Sequence, residues 1–203
     1  MKTTPDNSFE QAAMTRGCTR VAGVDEAGRG PLAGPVTAAA VVLDPTRIPE
    51  GLNDSKALGV AARERLYDEI LAVADVGFGQ ASVEEIDQIN ILQASHLAMV
   101  RAVADLTTPP DHVLIDGNRA PRGLTIPHET IVKGDARSVS IAAASIVAKV
   151  WRDRVMLDLA QQHPGYGWET NRGYPSKSHI SALRNLGVTP HHRRSFRPVY
   201  QIL

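Results

Sequence analysis

The chain has 203 residues, 43% of them hydrophobic, which suits one domain with a sizeable core, and 22 basic residues balance 22 acidic ones, so net charge alone predicts no polyanionic partner. A single cysteine, Cys18, excludes an internal disulfide and reads as an inert thiol upstream of the first strand. No apolar stretch approaches the ~20 residues of a membrane span, and the polar segment from Met1 to Glu10 has no signal-peptide core, so the expectation is a cytoplasmic protein.

Residues 1–18 read as a ragged, flexible leader and 19–203 as one folded domain. Arg20–Asp25 is the first predicted strand and Pro35–Leu43 the second, small and β-branched throughout. Asp44-Pro45 and Pro49-Glu50-Gly51 break the pattern, and Gly51 to Lys56 forms a polar loop. A helix is predicted from about Val60 to Val73, then a strand over Val76–Ala81. Ser82 caps a second helix, with Glu84 and Glu85 in its first turn and Ile86, Ile89, Leu92, His96, Met99 and Val103 at helical spacing up to Leu106. Pro109-Pro110 ends it. His112–Ile115 is a short apolar strand delivering Asp116-Gly117-Asn118, and a strand ending at Thr130–Val132 delivers Lys133-Gly134-Asp135. A long Ala-rich helix follows from about Ser138 to Gln162. Trp168–Pro175 is read as an irregular loop, and a last helix spans about Lys177–Asn185. Strands first, then strands alternating with helices, predict an α/β domain with one mixed sheet, plus a small helical C-terminal part.

Three of these strand ends carry acids: Asp25 with Glu26, Asp116, and Asp135. In an open α/β sheet, ligands bind in the crevice at the carboxyl ends of the strands. Four carboxylates converging there would repel one another unless cations neutralised them. Oxygen ligands without a Cys/His cluster favour Mg2+ or Mn2+, and a pair of such ions could work together during phosphoryl chemistry. Each acid also has a plainer reading: Asp116-Gly117 as a turn, and Asp135 as the cap of the helix beginning near Ser138. Gly28-Arg29-Gly30 lacks the spacing of a dinucleotide fingerprint or a P-loop. It offers backbone N–H groups and a guanidinium to a phosphate or sugar. Lys56 and Lys133 are candidate phosphate contacts. From Arg172 onward the chain holds Arg172, Lys177, Arg184, Arg193, Arg194 and Arg197 and no acid, a basic surface able to hold duplex phosphates without reading sequence.

Asp25 to Leu32, Asn53 to Lys56, Leu114 to Asn118, Lys133 to Asp135, Ala143 to Val150, Gly173 to Pro175 and His192 to Phe196 together resemble bacterial ribonuclease HII, collinearly from about Arg20 to Val199. The resemblance implies a ribonuclease H-like mixed β-sheet flanked by helices, with the catalytic domain over 19–203 and a C-terminal helical cap. It implies Asp25, Glu26, Asp116 and Asp135 as catalytic residues and as ligands of Mn2+ or Mg2+, two ions during catalysis. The implied activity is endonucleolytic hydrolysis of RNA in RNA–DNA hybrids. It includes cleavage 5′ of single ribonucleotides in duplex DNA, leaving 3′-hydroxyl and 5′-phosphate ends. Gly28, Arg29, Gly30 and Tyr174 are implied to recognise the 2′-hydroxyl and the junction. Lys56, Lys133, Arg193 and Arg194 complete the expected substrate-binding set. The residues before the tyrosine are often His-Lys-Gly in the family, whereas here they are Asn171-Arg172-Gly173. A monomer acting without membrane contact is expected.

Two other readings compete. Type III ribonuclease H shares the acids, but Gly28-Arg29-Gly30 is the type II form of the loop. A catalytically silent nucleic-acid-binding module would use the basic C-terminus and leave the acids as turn caps.

Overall fold

A computed structural model of the protein describes residues 4–203. Five strands form one mixed sheet in the order β3-β2-β1-β4-β5. β1 (Val21–Ala27), β2 (Val36–Val42) and β3 (Asp75–Ala81) pair antiparallel in succession, whereas β4 (His112–Asp116) pairs parallel to β1 and β5 (His128–Ile131) parallel to β4. The expected α/β architecture is present, with helices on both faces.

On one face lie α2 (Val60–Val73) and α4 (Val139–Gln162), the latter packing its alanines 142, 143, 144 and 148 into one core with Ala39 and Val41 of the sheet. Gly23 of β1 lets α4 approach closely: a methyl group there would run into the Ser140 carbonyl carbon. On the other face lies α3 (Val83–Ala104), packed on Ala22, Val24, Ala38 and Ala40. Ser82 closes a capping box with Glu85 at its start. The sequence predicts one continuous helix here, but the backbone breaks at Asn90 (φ 67°, ψ 162°), whose Oδ1 accepts from the amides of Leu92 and Gln93 at 3.0 and 3.2 Å and starts a new helical segment. Ile86, His96, Met99 and Val103 of the predicted spacing are buried. Ala94, Ala98 and Ala102 face the sheet because Gly77 and Gly79 bring β3 against the helix backbone, and Ile89 is exposed.

The leader does not keep its expected character in its described part, residues 4–18; residues 1–3 lie outside the described residues. Ser8–Thr15 form α1 (8 residues), and Glu10 is buried, its Oε1 accepting from the Ser140 amide at 3.0 Å and from the Ser138 hydroxyl at 2.5 Å. That carboxylate sits on the first turn of α4, where free amides and the helix dipole favour negative charge. Beyond α4, the segment read as an irregular loop contains the short α5 (Trp168–Asn171). α6 (Lys177–Leu186) and α7 (Arg197–Tyr200) complete a C-terminal helical part with its own core around Trp168, Met156, Leu183 and Val199.

Candidate active site

Side chains alternate between the faces of a strand. Gly23 and Asp25 of β1 therefore point to the α4 face, and Val24 and Glu26 to the α3 face. β1 and β4 pair in parallel with Gly23 opposite Leu114, which brings the two strand ends level and puts Asp116 on the same face as Asp25. Asp135 arrives in a one-turn 3-10 helix, Gly134–Ala136, after β5. The Gly134 amide donates to Asp116 Oδ1 at 2.7 Å and ties that turn to the end of β4. One carboxylate oxygen each of Asp25, Asp116 and Asp135 lies within 4.8 Å of the others. The cap reading of Asp135 is displaced, because Ser138 itself caps α4 by accepting from the Ile141 amide at 3.2 Å. Glu26 is not part of that trio. It stands beside it, with Oε1 3.3 Å from the Arg29 guanidinium.

The trio is electrostatically strained. Burial, then the charges of Glu26, Asp116 and Asp135, push Asp25 well above the ordinary carboxylate range, against one bond from the Glu26 amide. Burial raises Asp116, and the Glu26 charge adds to it, while amides of Gly134 and Asp135 partly offset the rise. Burial and then the charges of Asp116 and Asp54 raise Asp135. The Lys56 ammonium, 3.5 Å from Asp135 and 3.8 Å from Asp54, is largely exposed and neutralises little of this. Burial acts to lower Lys56, but the carboxylates of Asp54, Asp135 and Asp25 outweigh it and raise it. Three converging hard oxygen donors with one largely exposed cation fit a divalent metal ion. Asp25, Asp116 and Asp135 would hold it, with Glu26 alongside.

Next to the acids, a cavity of about 270 Å3 is lined by Asp25, Glu26, the Gly28-Arg29-Gly30 loop, Lys56, Arg152 and Tyr174. A second, of about 350 Å3, lies on the α3 side between Glu26, Arg29, Asp116, Arg119 and His96. Gly28 has φ +100°, a left-handed conformation that favours glycine. The Tyr174 ring lies over Gly30, where an added Cβ would be 3.3 Å from Cε1, and the residue is 44% exposed. The expected adjacency of loop and tyrosine is therefore present.

Arg193 is corrected. Predicted to touch substrate, it is 0% exposed, and its guanidinium is spent on backbone carbonyls: Nε to Gly34 at 2.9 Å, Nη1 to Arg29 at 3.1 Å, Nη2 to Gly28 at 2.6 Å and to Pro35 at 3.1 Å. The local rule that basic residues face solvent fails because these carbonyls turn inward. Arg194 is exposed as expected, and its amide donates to Asp87 at 2.9 Å. Lys133 is exposed, in a left-handed conformation (φ 56°) at the entrance to the Asp135 turn.

Arg152 was missed in the sequence. It is 1% exposed and donates to the carbonyls of Pro35, Ala33 and Arg172, each at 3.1 Å. Burial lowers Arg152 to about 10 and Arg193 to about 9, so both stay charged at neutral pH. Two buried cations answered by carbonyls rather than carboxylates thus hold the Gly28–Pro35 loop. Its only sequence signal was a basic residue within an otherwise apolar helix face.

A family model described as "Ribonuclease HII" matches residues 22–201. The chain is 69% identical over 201 residues to a ribonuclease HII of Ruegeria pomeroyi, covering 99% of this chain and 86% of that protein. The fold superposes on the ribonuclease H2 of Pyrococcus horikoshii with a TM-score of 0.75 at 29% identity, covering 91% of this chain and 97% of that one. A Bst ribonuclease HIII in complex with Mn2+ shares the fold at a TM-score of 0.73 and 19% identity, covering 90% of this chain and 68% of that one. Carried by the match along residues 22–201 and the identity to the Ruegeria protein, the conclusion is that the chain belongs to the ribonuclease HII family, nucleases that hydrolyse RNA in RNA–DNA hybrids.

Proposed function

We propose that this nuclease cuts the phosphodiester on the 5′ side of a ribonucleotide, including a single one embedded in duplex DNA, and leaves 3′-hydroxyl and 5′-phosphate ends. The observation that carries the reading is the placement of the Asp25–Asp116–Asp135 trio beside a cavity walled by Gly28, Arg29, Gly30 and Tyr174. Bound divalent cations, Mg2+ or Mn2+, would supply charge neutralisation for the phosphate and acidify a water. Asp25, Asp116 and Asp135 would hold them, with Glu26 completing the acid set.

The chain's own groups do the rest. Gly28, Arg29, Gly30 and Tyr174 line the cavity beside the acids and would meet a sugar edge there, where a 2′-hydroxyl is the group that distinguishes RNA from DNA. Arg29, Lys56 and Lys133 would contact phosphate oxygens, as would the exposed Arg194 near the C-terminus. In the cut itself, a water oxygen bonds to phosphorus and the P–O3′ bond breaks. The departing 3′-oxygen takes a proton and becomes the hydroxyl, and the phosphate stays on the 5′-oxygen of the ribonucleotide. The recognised 2′-hydroxyl lies on the far side of that sugar from the scissile phosphate, so it serves as a handle and not as the nucleophile.

The test is a DNA duplex carrying one ribonucleotide, incubated with Mn2+ or Mg2+. One cut 5′ of that nucleotide is expected, lost when its 2′-hydroxyl is replaced by hydrogen. Asp116→Asn should lower turnover by more than about 100-fold while duplex binding remains. Cutting of the all-DNA control would make the enzyme a general nuclease. Robust cutting of long hybrids with no action on the single ribonucleotide would favour the type III specificity.

A further inference from the structure

Behind Tyr174 two histidines are fully buried, His179 at 0% and His192 at 1% exposure, and the donors around them leave each ring a single arrangement. The Thr189 amide donates to His192 Nδ1 at 3.0 Å. An amide has no acceptor to offer, so His192 Nδ1 carries no proton and Nε2 does. His192 Nε2 lies 3.1 Å from His179 Nε2, and the Trp168 indole N–H donates to that same His179 nitrogen at 3.0 Å. Indole is a donor only, so His179 Nε2 is the acceptor of both and its proton sits on Nδ1. That Nδ1–H is 2.9 Å from the Tyr174 carbonyl oxygen, which a carbonyl can only accept.

We propose that His179 and His192 are positioning residues for Tyr174: a one-way relay, Thr189 to His192 to His179 to the Tyr174 carbonyl, with each ring neutral in one tautomer, fixes the tyrosine main chain and so the ring over Gly30. The inference rests on the role given to Tyr174 above. The segment that supplies His192 also supplies Arg193, whose guanidinium holds the carbonyls of Gly28 and Arg29. The Leu32 amide donates to the Gly173 carbonyl at 2.7 Å and the Arg193 amide to the Leu32 carbonyl at 2.8 Å. Adjacent residues of one strap therefore set both walls of the 2′-hydroxyl pocket and the distance between them. Neutral rings agree with their surroundings: burial and the nearby His179, His191 and His163 lower His192 to about 3, and burial lowers His179.

Two measurements test the relay. Nitrogen-15 NMR of the histidine rings in the wild-type protein should show His192 protonated at Nε2 and His179 at Nδ1, with neither ring charged at neutral pH. His179 protonated at Nε2, or either ring charged at neutral pH, would overturn the proposal. In cleavage of the one-ribonucleotide duplex, His179→Leu should lose about 10- to 100-fold in kcat/KM. His179→Asn, whose amide can still donate to the Tyr174 carbonyl, should recover much of that, and Mn2+ affinity should stay unchanged in both. In a Tyr174→Ala background, His179→Leu should cost nothing further, because the two changes act through one group. Additive losses would overturn the relay while leaving the role of Tyr174 intact. A fully active Tyr174→Ala enzyme would instead overturn that role and this use of the relay, with the ring tautomers read separately. If His179→Leu does not fold, the tautomer measurement decides.

Discussion

At the scale of single residues, the site is built from carboxylates in a place unfavourable to them. Asp25 is 5% exposed and accepts one amide hydrogen bond, with like charges on three sides. Its raised folded-state pKa means that the metal-free fold binds more protons than the unfolded chain as pH rises past the ordinary carboxylate range. The contribution of Asp25 to stability is then fully present below about pH 4 and is lost as pH climbs through the folded value. Asp116 and Asp135 shift the same way and add to the trend. Asp25→Asn removes one of the charges, so in the presence of a chelator it should melt higher than the parent at pH 7.5, with the gap closing toward pH 4. For a chain of this length each kcal/mol is worth about 2–4 °C in Tm. Added Mn2+ should raise the parent's Tm more than the variant's. A variant that melts lower than the parent without metal would show that Asp25 holds the fold together and is not a strained ligand.

At the scale of elements, the sequence conveyed some relations and hid others. Strand ends carrying acids were legible, because a short apolar run followed by Asp-Glu or Asp-Gly is a local pattern. Parity within β1 and β4 then decides which acids meet: Asp25 and Asp116 share a face, while Glu26 turns to the α3 side. That split needed the pairing register, which no local pattern supplies. Helical spacing marks most of the buried face of α3, but Ile89 falls outside it beside the backbone break at Asn90, and the closeness of Gly77 and Gly79 rewards alanine over larger residues. Arg193 was misjudged because its acceptors lie more than 150 residues away in the chain. Its test belongs to the loop as a unit. Arg193→Lys keeps the charge, but one ammonium cannot reach carbonyls spread from Gly28 to Pro35. Each buried acceptor left without a donor costs about 1–3 kcal/mol. The expected result is a lower Tm and a fall in kcat/KM on the one-ribonucleotide duplex, with Mn2+ binding to the trio preserved. Wild-type kinetics in Arg193→Lys would mean the loop holds its shape without the clamp.

At the scale of the whole molecule, the turn that carries Asp135 leans on the N-terminal segment, 128 residues away at the Glu10–Ser138 contact. α4 begins at the turn that carries Asp135, and three residues fix that beginning: Ser138 as cap, Ser140 against Gly23 of β1, and Glu10 of α1 bonding to both serines. The Asp6 amide also donates to the Arg137 carbonyl at 3.1 Å, and the Val139 amide to the Asp6 carbonyl at 3.1 Å, so the N-terminal segment pairs with the chain just after Asp135. An eight-residue helix gives no hint of this, since a docked helix of that length draws its stability from tertiary contacts. Glu10→Ala removes a carboxylate from the first turn of α4 and leaves two buried hydroxyls and an amide to find other partners. The penalty should be about 1–3 kcal/mol, read as a Tm lower by several degrees. Because the loosened end adjoins the Asp135 turn, Mn2+ affinity should weaken in the same variant, although Glu10 touches none of the carboxylates. Glu10→Gln keeps the Oε1 acceptor and should recover most of both losses. A Glu10→Ala protein that melts lower but binds Mn2+ as tightly as the parent would show that α1 supports the fold without holding the site.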